Sequence, residues 1–154
     1  MKKVAIIMGS ESDRPTVESS LEYFKYFGVQ ADVLVLSAHR NPDEVANFAR
    51  EARSNGYAIL VACAGMAAHL GGVIAAHTTL PVIGVPLDGS ALNGVDALYS
   101  MVMMPAGVPV ATMAIGKAGA RNAAVLSAEI LALIDERIAG RLAEFKNNGS
   151  KISQ

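Results

Sequence analysis

Five times along the chain a short apolar run gives way to a loop and then to a segment whose apolar residues recur at helical spacing. This alternation most limits the available folds. The runs are residues 4–8, 30–36, 57–63, 81–85 and 109–115. Val4-Ala5-Ile6-Ile7-Met8 is apolar throughout, as expected of a strand covered on both faces. Between the runs, Val17, Leu21, Phe24 and Phe27 mark one helix, ended by Gly28. Val45, Phe48, Ala49 and Ala52 mark a second, over about 43–54. A short helix is predicted at 73–77 and another over most of 94–103. A last long helix from about residue 120 carries Leu126, Ile130, Leu133, Ile134, Ile138, Leu142 and Phe145. The order βαβαβαβαβα predicts an α/β chain with helices on both faces of a parallel sheet. Five strands point to a three-layer, flavodoxin-like arrangement in the order 2-1-3-4-5. Residues 1–147 read as one domain and 148–154 as a flexible tail.

In such a sheet ligands bind beyond the carboxyl ends of the strands, and three unusual loops fall there. Gly9-Ser10-Glu11-Ser12-Asp13 follows the first strand and joins a turn to a helix start, where free amides favour an anion. Ser12 or Asp13 could equally serve only as a helix cap. Ser37-Ala38-His39-Arg40-Asn41-Pro42 follows the second strand, with Ser37 or Asn41 available as cap for the next helix. It sets an imidazole suited to proton transfer near neutral pH beside a guanidinium suited to phosphate or carboxylate. Ala64-Gly65-Met66-Ala67-Ala68-His69-Leu70 follows the third strand and is built of small residues around a second histidine. By itself His69 could be a helix-start residue bonded to a carbonyl, and His77 reads as the end of a short helix.

Composition removes several function classes. A net charge of −1 gives no basis for binding nucleic acid or an acidic membrane. Aromatics are 5% and tryptophan is absent, which argues against base stacking. The longest apolar stretch, 58–68, is about half the roughly 20 residues a spanning helix needs. The apolar run at 4–8 is too short for a secretory signal. The single cysteine, Cys63, cannot form an intrachain disulfide and reads as inert core, so a cytoplasmic setting is expected. Three histidines lack Cys or carboxylate partners at ligand spacing, so no metal is expected. The chain has no Walker loop, GxGxxG or GxSxG motif, and Gly9-Ser10 and Ala62-Cys63 stand where a response regulator needs acids. Hydrophobic residues make up 52% of the chain, high enough to suggest apolar surface buried between subunits.

Taken in order, the loop motifs resemble the N5-carboxyaminoimidazole ribonucleotide mutase family of purine biosynthesis. Besides the three loops, the resemblance rests on Gly84-Val85-Pro86, Leu92-Asn93-Gly94-Val95-Asp96-Ala97-Leu98-Tyr99-Ser100, Met104-Pro105-Ala106-Gly107-Val108-Pro109-Val110, Ala114-Ile115-Gly116-Lys117-Ala118-Gly119 and Asn122-Ala123-Ala124. It covers about residues 4–134. The resemblance implies a cofactor-free isomerase that moves a carboxylate from an exocyclic nitrogen to ring carbon four. It implies His39 as general acid and base. It implies substrate contacts at Ser10, Ser12, Asp13, Ser37, Ala38, Arg40, Ala64, Gly65, Met66, Ala67, His69 and Leu70. Within these, Arg40 suits a phosphate and Asp13 ribose hydroxyls, and the 64–70 loop would wall a carbon dioxide pocket. The resemblance also implies a homo-octamer with sites where subunits meet. The chain departs from the family at Asn41, at Met66 and at Gly71, where the family usually has Thr, Gly and Pro. The carboxylase branch of the family, which takes free carbon dioxide, typically has Lys after the histidine and an Ala-Gly-Arg-Ser-Asn loop. Arg40 and the His69 loop favour the mutase branch.

Overall fold

A computed structural model describes residues 2–152. The strands are β1 (Lys3–Met8), β2 (Gln30–Val35), β3 (Tyr57–Ala64), β4 (Val82–Pro86) and β5 (Ala111–Thr112). They form one parallel sheet in the order β2-β1-β3-β4-β5, as the alternation predicts. The helices are α1 (Arg14–Glu18), α2 (Leu21–Phe27), α3 (Pro42–Glu51), α4 (Leu70–His77), α5 (Val95–Val102), α6 (Lys117–Ala132) and α7 (Glu136–Asn147).

Side chains alternate across the sheet with period two. Val4, Ile6, Met8, Ile59, Val61, Cys63, Ile83 and Val85 face one side, where α1, α2, α6 and α7 bring Val17, Phe24, Phe27, Leu131, Ile138, Leu142 and Phe145. Ala5, Ile7, Leu60, Ala62, Ala64 and Val82 face the other, against Val45, Ala49, Leu70, Ile74, Ala97 and Met101 of α3, α4 and α5. Both faces of the sheet are therefore dry, which is why its strands read as continuous apolar runs. Gly119 lets α6 enter closely, since a β-carbon there would run into the Ala114 carbonyl. Gly28 closes α2 in the left-handed conformation, φ +69°.

Four boundaries differ from the sequence reading. The first helix is broken after Glu18, because the Ser19 and Ser20 hydroxyls donate back to the carbonyls of Thr16 and Val17 at 2.6 and 2.7 Å. The short helix expected at 73–77 begins three residues earlier, at Leu70. The fifth strand is two residues long rather than seven; it is an edge strand, and Pro109 has no N–H to give the ladder. The C-terminal helix is present but is two helices. Asp135 starts the second, its carboxylate accepting from the Arg137 amide at 3.0 Å. Leu133 and Ile134, expected on the inner face, sit at the break and are exposed. Ser153 and Gln154 of the expected tail lie outside the described residues.

Candidate functional site

Each of the three loops is shaped by short-range hydrogen bonds that leave particular side chains free. After β1, a 3-10 turn over Glu11–Asp13 forms, capped by Ser10, whose hydroxyl accepts from the Ser12 amide at 3.3 Å and lies 2.9 Å from the Ser12 hydroxyl. The capping oxygen is thus Ser10's, rather than that of Ser12 or Asp13. Glu11 turns outward to Arg14 at 2.7 and 2.8 Å. Asp13 turns inward, and burial raises its carboxyl above the ordinary value, offset in part by the Ser10 amide.

After β2, the chain makes a turn from Ser37 to Asn41. The Asn41 amide donates to the Ser37 carbonyl at 2.7 Å, and the Arg40 amide donates to the Ser37 hydroxyl at 3.2 Å. Ser37 therefore spends its hydroxyl on the backbone and presents His39 and Arg40 outward. Asn41 occupies the cap position of α3 without a side-chain bond. No hydrogen bond or ion pair of the Arg40 guanidinium occurs among the described residues.

The third loop is the tightest. The Ala68 amide donates to the Met66 carbonyl at 2.9 Å and the His69 amide to the Ala67 carbonyl at 2.8 Å. Met66 has φ +55°, in the left-handed region that side chains disfavour. His69 then heads α4 and, instead of bonding a carbonyl, meets the other histidine. His39 Nε2 and His69 Nδ1 are 2.7 Å apart, with the rings perpendicular and their centroids separated by 5.0 Å. One N–H fills that contact, so the pair cannot hold two protons there. His77 bonds the Val73 carbonyl at 2.8 Å, within its own helix.

The three loops enclose a cavity of about 660 Å³, within the range of small-molecule sites. His39, Ser10, Ser12, Asp13, Ser37, Ala38, Arg40, Ala64, Gly65, Met66, Ala67, His69 and Leu70 all line it, so every site residue named from the sequence is brought together. Gly9 and Ala68, which belong to the first and third loops, also line it, as do Leu87 and Gly89, which were missed. For Leu87 and Gly89 the signal was available, since their loop follows β4 at the same sheet edge; the Leu87 amide donates to the Ala64 carbonyl at 3.0 Å. A smaller apolar cavity of about 220 Å³ lies at the other end of the sheet, between Val29, Leu131 and Ile138, without a histidine. Among the described residues no group of three or more His, Cys, Asp or Glu is placed to hold a metal ion. Cys63 is buried, its thiol pushed up to about 12, and takes no part.

Against known proteins, residues 3–151 match the model of a family described as AIR carboxylase. The chain belongs to the AIR carboxylase family. Within it, the chain is 53% identical over 144 residues to the N5-carboxyaminoimidazole ribonucleotide mutase of Escherichia coli K12, covering 94% of this chain and 85% of that one. It is 51% identical over 145 residues to the mutase of Bacillus subtilis 168, covering 94% and 90%. Among solved structures, the crystal structure of Treponema denticola PurE superposes with a TM-score of 0.87 at 26% identity, covering 97% of this chain and 92% of that one. The AIR carboxylase fold therefore accounts for both layers of helices and for the sheet order.

Proposed function

We propose that the chain is an N5-carboxyaminoimidazole ribonucleotide mutase, an isomerase of purine biosynthesis. The observation that carries this is the identity of about half of all residues to mutases over nearly the whole chain. The cavity chemistry supports it. Arg40, with no hydrogen bond or ion pair among the described residues, takes the substrate phosphate, and Asp13 takes ribose hydroxyls. His39 gives a proton to the exocyclic nitrogen as the carbamate C–N bond breaks and carbon dioxide leaves. Ring carbon four then attacks that carbon dioxide, and His39 recovers a proton from the same carbon, so one group serves both halves. The 64–70 loop, with backbone close to the cavity, holds the carbon dioxide and keeps water away. Ser10, Ser12, Ser37, Ala38 and Leu70 complete the wall.

The active form is a homo-octamer in the cytoplasm. Exposed Leu92, Val95, Tyr99, Val102 and Met103, grouped on α5 and at its two ends, support assembly. The buried, unpaired cysteine fits a reducing compartment. Among the described residues no helix is long and apolar enough to cross a membrane.

The test gives purified protein either fresh N5-carboxyaminoimidazole ribonucleotide or aminoimidazole ribonucleotide with excess bicarbonate. Turnover of the first alone supports the mutase. Turnover mainly of the second assigns the chain to the carboxylase branch. Binding of phosphoribosyl compounds without any turnover leaves a binding module.

A further inference from the structure

The loop between β4 and α5, residues 87–94, is closed on itself by the bonds of Ser90. The Ser90 hydroxyl donates to the Asp96 carboxylate at 2.9 Å and accepts from the Leu92 amide at 3.2 Å. The Ser90 carbonyl accepts from the Asn93 amide at 3.1 Å. Asn93 and Gly94 then both take the left-handed conformation, φ +51° and +85°, and turn the chain into α5. A β-carbon at Gly94 would run into Ile115 and the Leu87 carbonyl, so the end of the loop packs against its start. Asp96 lies in the first turn of α5, but the cap position of that helix belongs to Gly94. The Ser90–Asp96 bond therefore spans the loop instead of finishing the helix. The start of the same loop is cavity wall. Leu87 and Gly89 line the site, and the Leu87 amide is tied to the Ala64 carbonyl of the third loop at 3.0 Å. Beside Gly89 the space is open, with nothing within 4 Å of where a β-carbon would stand.

We propose that Ser90 is a positioning residue for the substrate: bonded to Asp96, it holds Leu87 and Gly89 in the cavity wall before a ligand arrives. This rests on the mutase reading above. A loop left unheld samples many conformations, and a ligand then binds only the fraction in which the wall is formed. With Ser90 in place that ordering is completed on folding, and binding no longer bears it. Ser90 itself is outside the cavity wall, and no bond joins it to His39 among the described residues. Its effect therefore falls on capture of the substrate and not on the chemical step.

The experiment compares Ser90→Ala, Ser90→Thr, Asp96→Ala and the Ser90→Ala/Asp96→Ala double variant. It measures turnover of N5-carboxyaminoimidazole ribonucleotide and, by calorimetry, binding of aminoimidazole ribonucleotide. Ser90→Ala raises KM and weakens binding by about three- to tenfold, the size of one lost hydrogen bond, with kcat within about twofold of wild type. Ser90→Thr keeps the hydroxyl and restores both. Asp96→Ala gives the same rise, and the double variant adds nothing to it, because either change breaks the one bond. Hydrogen exchange reads the loop directly. The Asn93 amide, whose own bond the alanine leaves in place, exchanges faster in Ser90→Ala and slows again when aminoimidazole ribonucleotide is bound. An unchanged KM, a kcat lowered as much as KM is raised, an additive double variant or no rescue by threonine overturns the inference. A wild type that forms no carboxylated product overturns the mutase reading instead, and the binding and exchange results then still decide the role of Ser90.

Discussion

Arg40→Met tests the assignment of the phosphate end. The Arg40 guanidinium lies in the cavity wall with no hydrogen bond or ion pair among the described residues, so its removal orphans no partner. The fold should be indifferent: a surface substitution away from caps and cores shifts stability by about 0.5 kcal/mol or less. Binding should not be. A charge-assisted contact to phosphate contributes about 1.5–3 kcal/mol, and a forked guanidinium pair adds geometric fit. Arg40 is exposed, so solvent screens part of this. A loss of about 2–3 kcal/mol is expected, or roughly 30- to 160-fold in kcat/KM at 1.36 kcal/mol per decade. The loss should fall mainly on KM, because the phosphate is held alike in ground and transition states. Inorganic phosphate should compete with substrate in wild type, less at high salt, and hardly at all in the variant. Arg40→Lys should recover part of the affinity by charge without the fork. A KM within threefold of wild type, or a melting point lowered as much as the activity, would refute the reasoning.

Three further outcomes are expected. His39→Asn should lower turnover by about 10²–10⁴-fold while substrate still protects against thermal unfolding; retained turnover would rule out the proton shuttle. Phe145→Ala should cost about 3–5 kcal/mol, read from denaturant melts. That ring is buried with centroids 5.2 Å from Phe27 and 5.9 Å from Tyr26, and it docks α7 on α2. Asp13→Asn should stabilise the unliganded protein at neutral pH while weakening substrate. Burial raises the Asp13 carboxyl above 3.8, so the folded state holds that proton more tightly than the unfolded one. Wild-type stability therefore falls, relative to the variant, as pH rises from 3.8 through the raised value, and the gap is constant above it. A gap that narrows with rising pH would contradict the burial argument.

Strand identity and sheet order were legible because they follow from local pattern, whereas the individual contact residues were named from the family resemblance. A continuous apolar run between turn residues has few fates in a parallel sheet, and the carboxyl-edge rule then gathers the loops. What was not legible depended on competition between bonds. Nothing in the spacing of Val17, Leu21 and Phe24 shows that Ser19 and Ser20 donate to carbonyls and split the helix. Leu133 and Ile134 continue the apolar rhythm of the last helix, yet the Asp135 carboxylate captures the Arg137 amide and restarts the chain in a new direction. The Asp-Glu-Arg that follows Ile134 was a readable cap signal, outweighed by periodicity. The His39–His69 contact was out of reach for a different reason, since it joins loops thirty positions apart through ring orientation alone.

That contact also limits how the proposed chemistry can run. β2 and β3 flank β1, so the two histidine loops start two strand spacings apart, about 9.6 Å. The rings close that gap with a 2.7 Å contact, and Gly9 of the intervening loop lines the same cavity without a side chain; a β-carbon there would meet nothing within 4 Å. The space beside Gly9 is therefore open to a ligand. His39 Nε2 is engaged by His69. A substrate nitrogen directed at the same ring atom must displace His69, whereas one directed at Nδ1 leaves the pair joined. In the first case His69 is released as substrate enters and is free to contact it. In the second His69 fixes the His39 tautomer, and the proton for transfer is on Nδ1 only when Nε2 accepts from His69 or when His39 is cationic. Either way the position of His69 decides which nitrogen of His39 meets the substrate.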